Sequence, residues 1–237
     1  MSEEFRQVLS GKYNYTKSKQ IYCQENFIVK KSNNPKLKYL FRSEVLSRSH
    51  TGEFLKVEVD YCLNSAFMPQ KVDIKRSMGE KVANETFLFD EAKHEIQYTF
   101  TNGEDTKQHS DRSSSLVQIA SPSFATSMLV TMAKKLDPLH RVRFNLISSE
   151  NIWKYEVPFE QNKFFLEIVG SQNQSMKLSG QEVSAIHCYL FQNESDEFNH
   201  KKQEIFLSKY YSVPYKGIFS VNIVIEIAEL KTESDLL

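Results

Sequence analysis

A two-residue hydrophobic alternation recurs over most of this 237-residue chain and constrains its fold more than any other feature. Ile21, Cys23, Phe27 and Val29 fall on one side of a first segment, and Leu37, Tyr39, Phe41 and Val45 on one side of a second. Leu55, Val57, Val59, Tyr61 and Leu63 do so in a third, followed by Val72 with Ile74, Phe87 with Phe89, and Ile96, Tyr98 and Phe100. Neighbouring side chains on a strand point to opposite faces, so this period predicts strands with one buried and one solvated face. The positions between are mostly Lys, Glu, Asp, Gln and Thr, as in antiparallel sheets; parallel strands, covered on both sides, read as continuous apolar runs. Turn signals at Ser32–Pro35, His50–Gly52, Met78–Glu80, Asp90–Lys93 and Asn102–Gly103 are spaced for hairpins, which predicts a meander of sequence neighbours.

The alternation breaks at Ser121-Pro122, a serine suited to cap a helix and a proline suited to its first turn. Phe124, Ala125, Met128, Leu129, Met132, Ala133 and Leu136 then recur at helical spacing, and Asp137-Pro138 ends the run. The pattern predicts one amphipathic helix at about 122–136, serving as a lid or plug. Strands resume with Val142, Phe144 and Leu146, with Trp153, Tyr155 and Val157, and with Phe164, Leu166 and Ile168. Ile186, Cys188 and Leu190, the surroundings of Phe206, and the apolar run Phe219 to Ile227 complete the series. About a dozen strands in one flat sheet would expose long edges. The expected fold is therefore mainly β: an antiparallel meander closing into a barrel or half-barrel, with a two-sheet sandwich as the alternative. No repeat or linker divides the chain, so 1–237 reads as a single domain with frayed ends at about 1–18 and 230–237.

Lys plus Arg and Asp plus Glu number 30 each. Without a basic excess to exchange for counterions, nucleic acid is not an expected partner. No apolar stretch is long enough to span a membrane as a helix, and the acidic start Met1–Gln7 is unlike a signal peptide. Cys23, Cys62 and Cys188 are odd in number and match no zinc spacing. Together these lead to a cytoplasmic protein with reduced thiols, a monomer or homodimer.

No nucleophile elbow, phosphate loop, dinucleotide fingerprint or metal-binding histidine pair occurs, so no catalytic residue, metal or cofactor is assigned. His109 and Asp111 would share a face if 105–112 is a strand, but their polar, Ser-rich surroundings read as a solvated loop. Cys188 lies with Ile186 and Leu190, the setting of an inert buried thiol, and points away from His187. A buried charge is costly unless paired or used, so ionisable residues on the apolar face are the more informative set. Glu25, Arg76, Glu85, His94 and His187 break the alternation in this way. Arg76 and Glu85 flank the Met78–Glu80 turn at spacing suited to a cross-strand pair. With Trp153, Tyr155 and Tyr189 these residues are candidates to line a cavity for an apolar or amphipathic small molecule. Tyr210, Tyr211 and Tyr215 around Pro214 form a further aromatic group that could serve as a rim or a ligand patch.

Strands on either side of the helical stretch Ser121-Pro-Ser-Phe-Ala-Thr-Ser-Met-Leu129 give the chain a layout that resembles an uncharacterised bacterial family. Its members are half-barrel β domains with an embedded helix, most of them exported or lipid-anchored. The resemblance spans residues 20–228 and implies the fold; the family supplies no catalytic residue to carry over. Three functions follow as expectations. The first is a non-enzymatic protein that binds a lipid-like molecule in its curved sheet. The second is an acid–base enzyme using His187 or His94 with Glu25 or Glu85. The third is an interaction scaffold without a pocket.

Overall fold

The computed structural model describes residues 5–49, 52–103, 105–113, 117–133, 140–149, 151–170, 173–178, 181–192 and 202–233. Its first half is a meander of β1 (Arg6–Lys17), β2 (Gln20–Lys31), β3 (Tyr39–Arg48), β4 (Phe54–Leu63), β5 (Pro69–Met78), β6 (Lys81–Asp90), β7 (Glu95–Asn102) and β8 (Asp105–Arg112). Each strand pairs antiparallel with the next. After β9 (Val117–Ile119) come β10 (Arg141–Ser148), β11 (Phe159–Ile168), β12 (Gln174–Leu178), β13 (Gln181–Phe191), β14 (Gln203–Leu207), β15 (Pro214–Ser220) and β16 (Ile223–Thr232). The two halves join where β16 pairs with β1, so the order is β8-β7-β6-β5-β4-β3-β2-β1-β16-β15-β14-β13-β11-β10-β9, with β12 beside β13.

The sheet curls strongly. Nine strands lie between β4 and β9 in that order, yet the Ile119 N–H donates to the Tyr61 hydroxyl at 3.1 Å. Among the described residues no ladder joins β8 to β9, which leaves a half-barrel with a seam. Side chains bridge that seam, Ser113 to Glu160 at 3.3 Å and Asn102 to the Trp153 carbonyl at 2.6 Å.

Four expectations change. The segment predicted to fray at 1–18 contains β1, in the middle of the sheet, with Val8, Leu9, Tyr13 and Tyr15 buried. At the other end β16 continues to Thr232, and residues 234–237 lie outside the described set. The Trp153–Val157 stretch is irregular and not a strand. Finally, β9 and β10 run parallel, which two antiparallel neighbours joined by a hairpin cannot do. The described residues 120–133, which follow β9, belong to the crossover that this requires.

That crossover is the predicted plug, with less helix than its spacing implied. Phe124–Thr126 make a 3₁₀ turn and only Val130–Ala133 are α-helical, while 134–136 lie outside the described residues. The residue before the first turn is Ser123 and not Ser121, and it makes no side-chain cap. The cause is the serine and threonine content. Thr126, Ser127 and Thr131 each return a hydroxyl to the carbonyl three residues back, competing with the helical ladder. Phe124, Ala125, Met128 and Leu129 are nonetheless buried, so the apolar periodicity identified the inward face.

Candidate functional site

Glu25 projects from β2 into the interior and is fully buried. Its carboxylate accepts from the hydroxyls of Tyr15 and Ser123 at 2.5 Å each, from the Phe124 N–H at 2.8 Å and from the Ala125 N–H at 3.3 Å. Ser43 on β3 completes the cluster through its 2.7 Å contact with Ser123. Burial raises the carboxyl pKa, and the hydrogen bonds oppose that shift. Every acceptor position is occupied by the plug and its supports. Glu25 therefore anchors the crossover to the sheet.

Gln118 holds the other end of this turn. It accepts from the Val130 N–H at 3.2 Å and donates to the carbonyls of Thr126 and Ser127. The sequence does not point to Ser43 or Gln118, whose side chains carry no charge to mark them, nor to Tyr15, which falls in the stretch expected to fray. Serine 43 between Phe41 and Val45 on the buried face was the available signal.

Arg76 and Glu85 form the expected pair, both almost fully buried, and the Tyr98 hydroxyl donates to the second oxygen of Glu85 at 2.8 Å. Glu25 and Arg76 lie on one cross-strand row, Glu25–Val45–Val57–Arg76, with two valines between them. Tyr155 packs on Tyr98 and Phe100, with ring centroids 6.2 and 6.4 Å apart, and Tyr98 packs on Phe87 at 4.9 Å. Trp153 is half-buried above them, tied down by Asn102. The predicted aromatic wall is thus an interdigitated cluster.

The remaining candidates are elsewhere. His94 occupies an exposed turn with φ of 50°, so its place on the alternating face reflects a strand end. His187 stacks on Phe206 with centroids 4.7 Å apart, meets the half-buried Tyr189 edge-on, and contacts Gln174 through Nδ1 at 3.2 Å. Its Nε2 lies 2.7 Å from Glu204, off the line of a hydrogen bond. Phe191 stacks on Phe165 at 5.4 Å. Neither Glu25 nor Glu85 reaches an imidazole among the described residues, so the acid–base pairing expected from the sequence is not assembled. His109 and Asp111 are 4.0 Å apart on exposed β8, and no group of three metal-ligating residues occurs among the described residues. Cys188 is fully buried and its thiol is pushed up to about 12 by desolvation.

A hollow of about 530 Å³ lies beside β16, lined by Leu178, Val183, Tyr210, Tyr215, Ile227 and Leu230, with Glu229 and Lys231 at its margin. A bulge creates this wall. Lys12 pairs with Glu229 but Tyr13 with Ile227, so Ala228 is extra and both Ile227 and Leu230 face inward. Gly11 permits the bulge, since a Cβ there would sit 2.7 Å from the Glu229 carbonyl. Neither the Tyr210 nor the Tyr215 phenol has a hydrogen-bond partner among the described residues, and burial raises the Tyr215 pKa. A larger hollow of about 560 Å³ near Pro35 and Lys36 differs in kind, because its Asn64 and Gln70 already donate to Glu91.

No family model matches the chain, and no curated protein matches it. Among solved structures, the fold is similar to that of a DUF1089 family protein from Pseudomonas aeruginosa, with a TM-score of 0.52 and 8% identity over 83% of this chain and 89% of that one. A second solved structure, a β-barrel-like protein of domain of unknown function DUF1849 from Brucella abortus, covers 97% of this chain and 99% of its own at 7% identity and a TM-score of 0.49. The first of these shows a fold shared with a bacterial protein of a family of unknown function, in keeping with the resemblance read from the sequence.

Proposed function

We propose that this protein is a non-enzymatic carrier or sensor of a small amphipathic molecule, held in the hollow beside β16. The observation that carries this reading is the hollow's composition. Four aliphatic side chains form its walls and two phenols without partners stand ready to orient a polar head. Its volume falls within the roughly 300–1,000 Å³ typical of small-molecule sites. Packed rings surround Tyr155, which favours the Tyr210 and Tyr215 group over the Trp153 and Tyr155 group as the ligand patch. The reading keeps a reducing cytoplasmic location, supported by three cysteines that form no disulfide.

The test is native mass spectrometry of the purified chain together with displacement of 1-anilinonaphthalene-8-sulfonate. A Val183→Trp substitution fills the hollow and is expected to weaken probe binding at least about tenfold. Equal probe affinity in that variant, with no co-purifying small molecule, would reject the site.

A further inference from the structure

Alternate connections of an antiparallel meander gather at one end of the sheet, and three adjacent ones here carry bare apolar side chains. The turns after β1 and β15 touch, with the Ser18 N–H donating to the Asn222 carbonyl at 2.8 Å. The turn after β3 is next in line, because Cys23 pairs with Ser47 and Arg48 with Phe54. On these tips Val221 is 98% exposed, Phe54 66%, Ile21 55% and Tyr22 43%. Single exposed apolar residues need no explanation, but four on three neighbouring tips form a cluster.

Local geometry does not demand them. A β-branched residue such as Val221 has no advantage in a turn, where Gly, Asn, Asp and Ser are the usual choices. Ile21 belongs by alternation to the buried face, but the ladder skips Tyr22, pairing Tyr15 with Cys23 and Thr16 with Ile21. That bulge turns Ile21 outward. The charges beside the cluster have one predominant sign: Lys17, Lys19 and Arg48 against Glu53 among the described residues of these tips. The Arg48 guanidinium lies 6.0 Å from the Phe54 ring centroid.

We infer that these tips are a docking surface for an anionic phospholipid bilayer. Shallow insertion of the four apolar side chains would bury them, while three long cations on the same rim reach the phosphate layer. A two-fold self-association would set these like charges against one another, which disfavours a second copy as occupant. The tips lie at the end opposite the β14–β15 turn and the ligand hollow, so the inference does not rest on the hollow.

The test is co-flotation of the full chain with vesicles of phosphatidylcholine alone and of phosphatidylcholine mixed with phosphatidylserine. The expected result is flotation with the mixed vesicles, reduced by added salt. A Phe54→Ser/Val221→Ser variant is expected to lose roughly tenfold in partitioning. A Lys17→Ser/Lys19→Ser variant is expected to lose the preference for phosphatidylserine. Should the double serine variant unfold, Val221→Ser alone supplies the comparison, since that side chain is almost wholly in solvent. Absence of flotation with either vesicle, flotation unchanged by the apolar substitutions, or a dimer that they dissociate would overturn the inference.

Discussion

The carboxylate of Glu25 accepts the backbone N–H of Phe124 at 2.8 Å, across 99 positions of sequence. This contact fixes a crossover, whose described residues hold little helix, against the middle of a curled sheet. It also explains why a fully buried acid occurs in a chain with no catalytic motif. The donors that need it lie in the plug, where short turns leave amides without helical partners.

Replacing Glu25 with Ala removes the acceptor for two amides and two hydroxyls. Unsatisfied buried donors cost ~1–3 kcal/mol each, so a stability loss of roughly 2–4 kcal/mol is expected, water entry recovering part of the total. Urea unfolding monitored by circular dichroism measures it. An unchanged midpoint would show that the plug is held by its apolar contacts alone.

The same residue sets a pH dependence. Burial holds the folded-state pKa of Glu25 above its ordinary value of 4.5. The folded state therefore binds the proton more tightly than the unfolded chain. The corresponding stability is complete below about pH 4.5 and is lost as pH rises through the folded-state value. A Glu25→Gln variant lacks this titration. Urea midpoints of the two proteins compared across pH should fall more steeply for the wild type in that window.

Arg76 and Glu85 offer a double-mutant cycle. Arg76→Met leaves a buried carboxylate with Tyr98 as its only donor among the described residues, and a loss of roughly 3–5 kcal/mol is expected. The double variant Arg76→Met/Glu85→Leu should recover most of it, because paired removal also abolishes the desolvation cost. Additive losses in the two single variants and the double would contradict this reading.

Gly217 faces Phe124, and a Cβ at that position would approach its ring to 2.7 Å. Gly217→Ala should destabilise the protein by about 1–3 kcal/mol through overpacking. The loss is read from the thermal unfolding midpoint. A midpoint at or above that of the wild type would mean that the plug can shift away from the sheet.

The thiols should be silent in the folded protein. Desolvation pushes Cys23 and Cys188 up to about 12 and Cys62 to about 11. At pH 8 only about one thiol in a thousand or fewer is then ionised, and the thiolate is the reactive form. A disulfide reagent should label all three quickly in denaturant and slowly without it. Fast native labelling of Cys188 would identify an opening of the β13 region.

Much of the architecture was legible in local pattern. Alternation in segments such as Leu55–Leu63 marked both strand and buried face, because side-chain period follows directly from strand geometry. The spacing of Phe124, Met128 and Leu129 located the inward side of the plug. Arg76 and Glu85 could be paired from sequence because a short turn joins their strands. Pattern was misleading where bulges intervene, as at Ile21, and in the stretch from Trp153 to Val157, where alternation continues without a ladder.

The tertiary structure alone decided which residues share a site. Glu25 meets Ser123 through the curl of the sheet, His187 meets Glu204 through the pairing of β13 with β14, and Leu178 and Ile227 line one hollow from separate strands, none of which a local period encodes. Buried polar residues identify themselves from sequence as exceptions, but their partners are chosen by long-range packing. The sequence alone therefore determined the strands, their faces and the plug's apolar side, because these are local properties of backbone geometry. Closure into a half-barrel, the bulge at Ala228 and the hollow it shapes depend on contacts far apart in the chain, and only the fold could decide them.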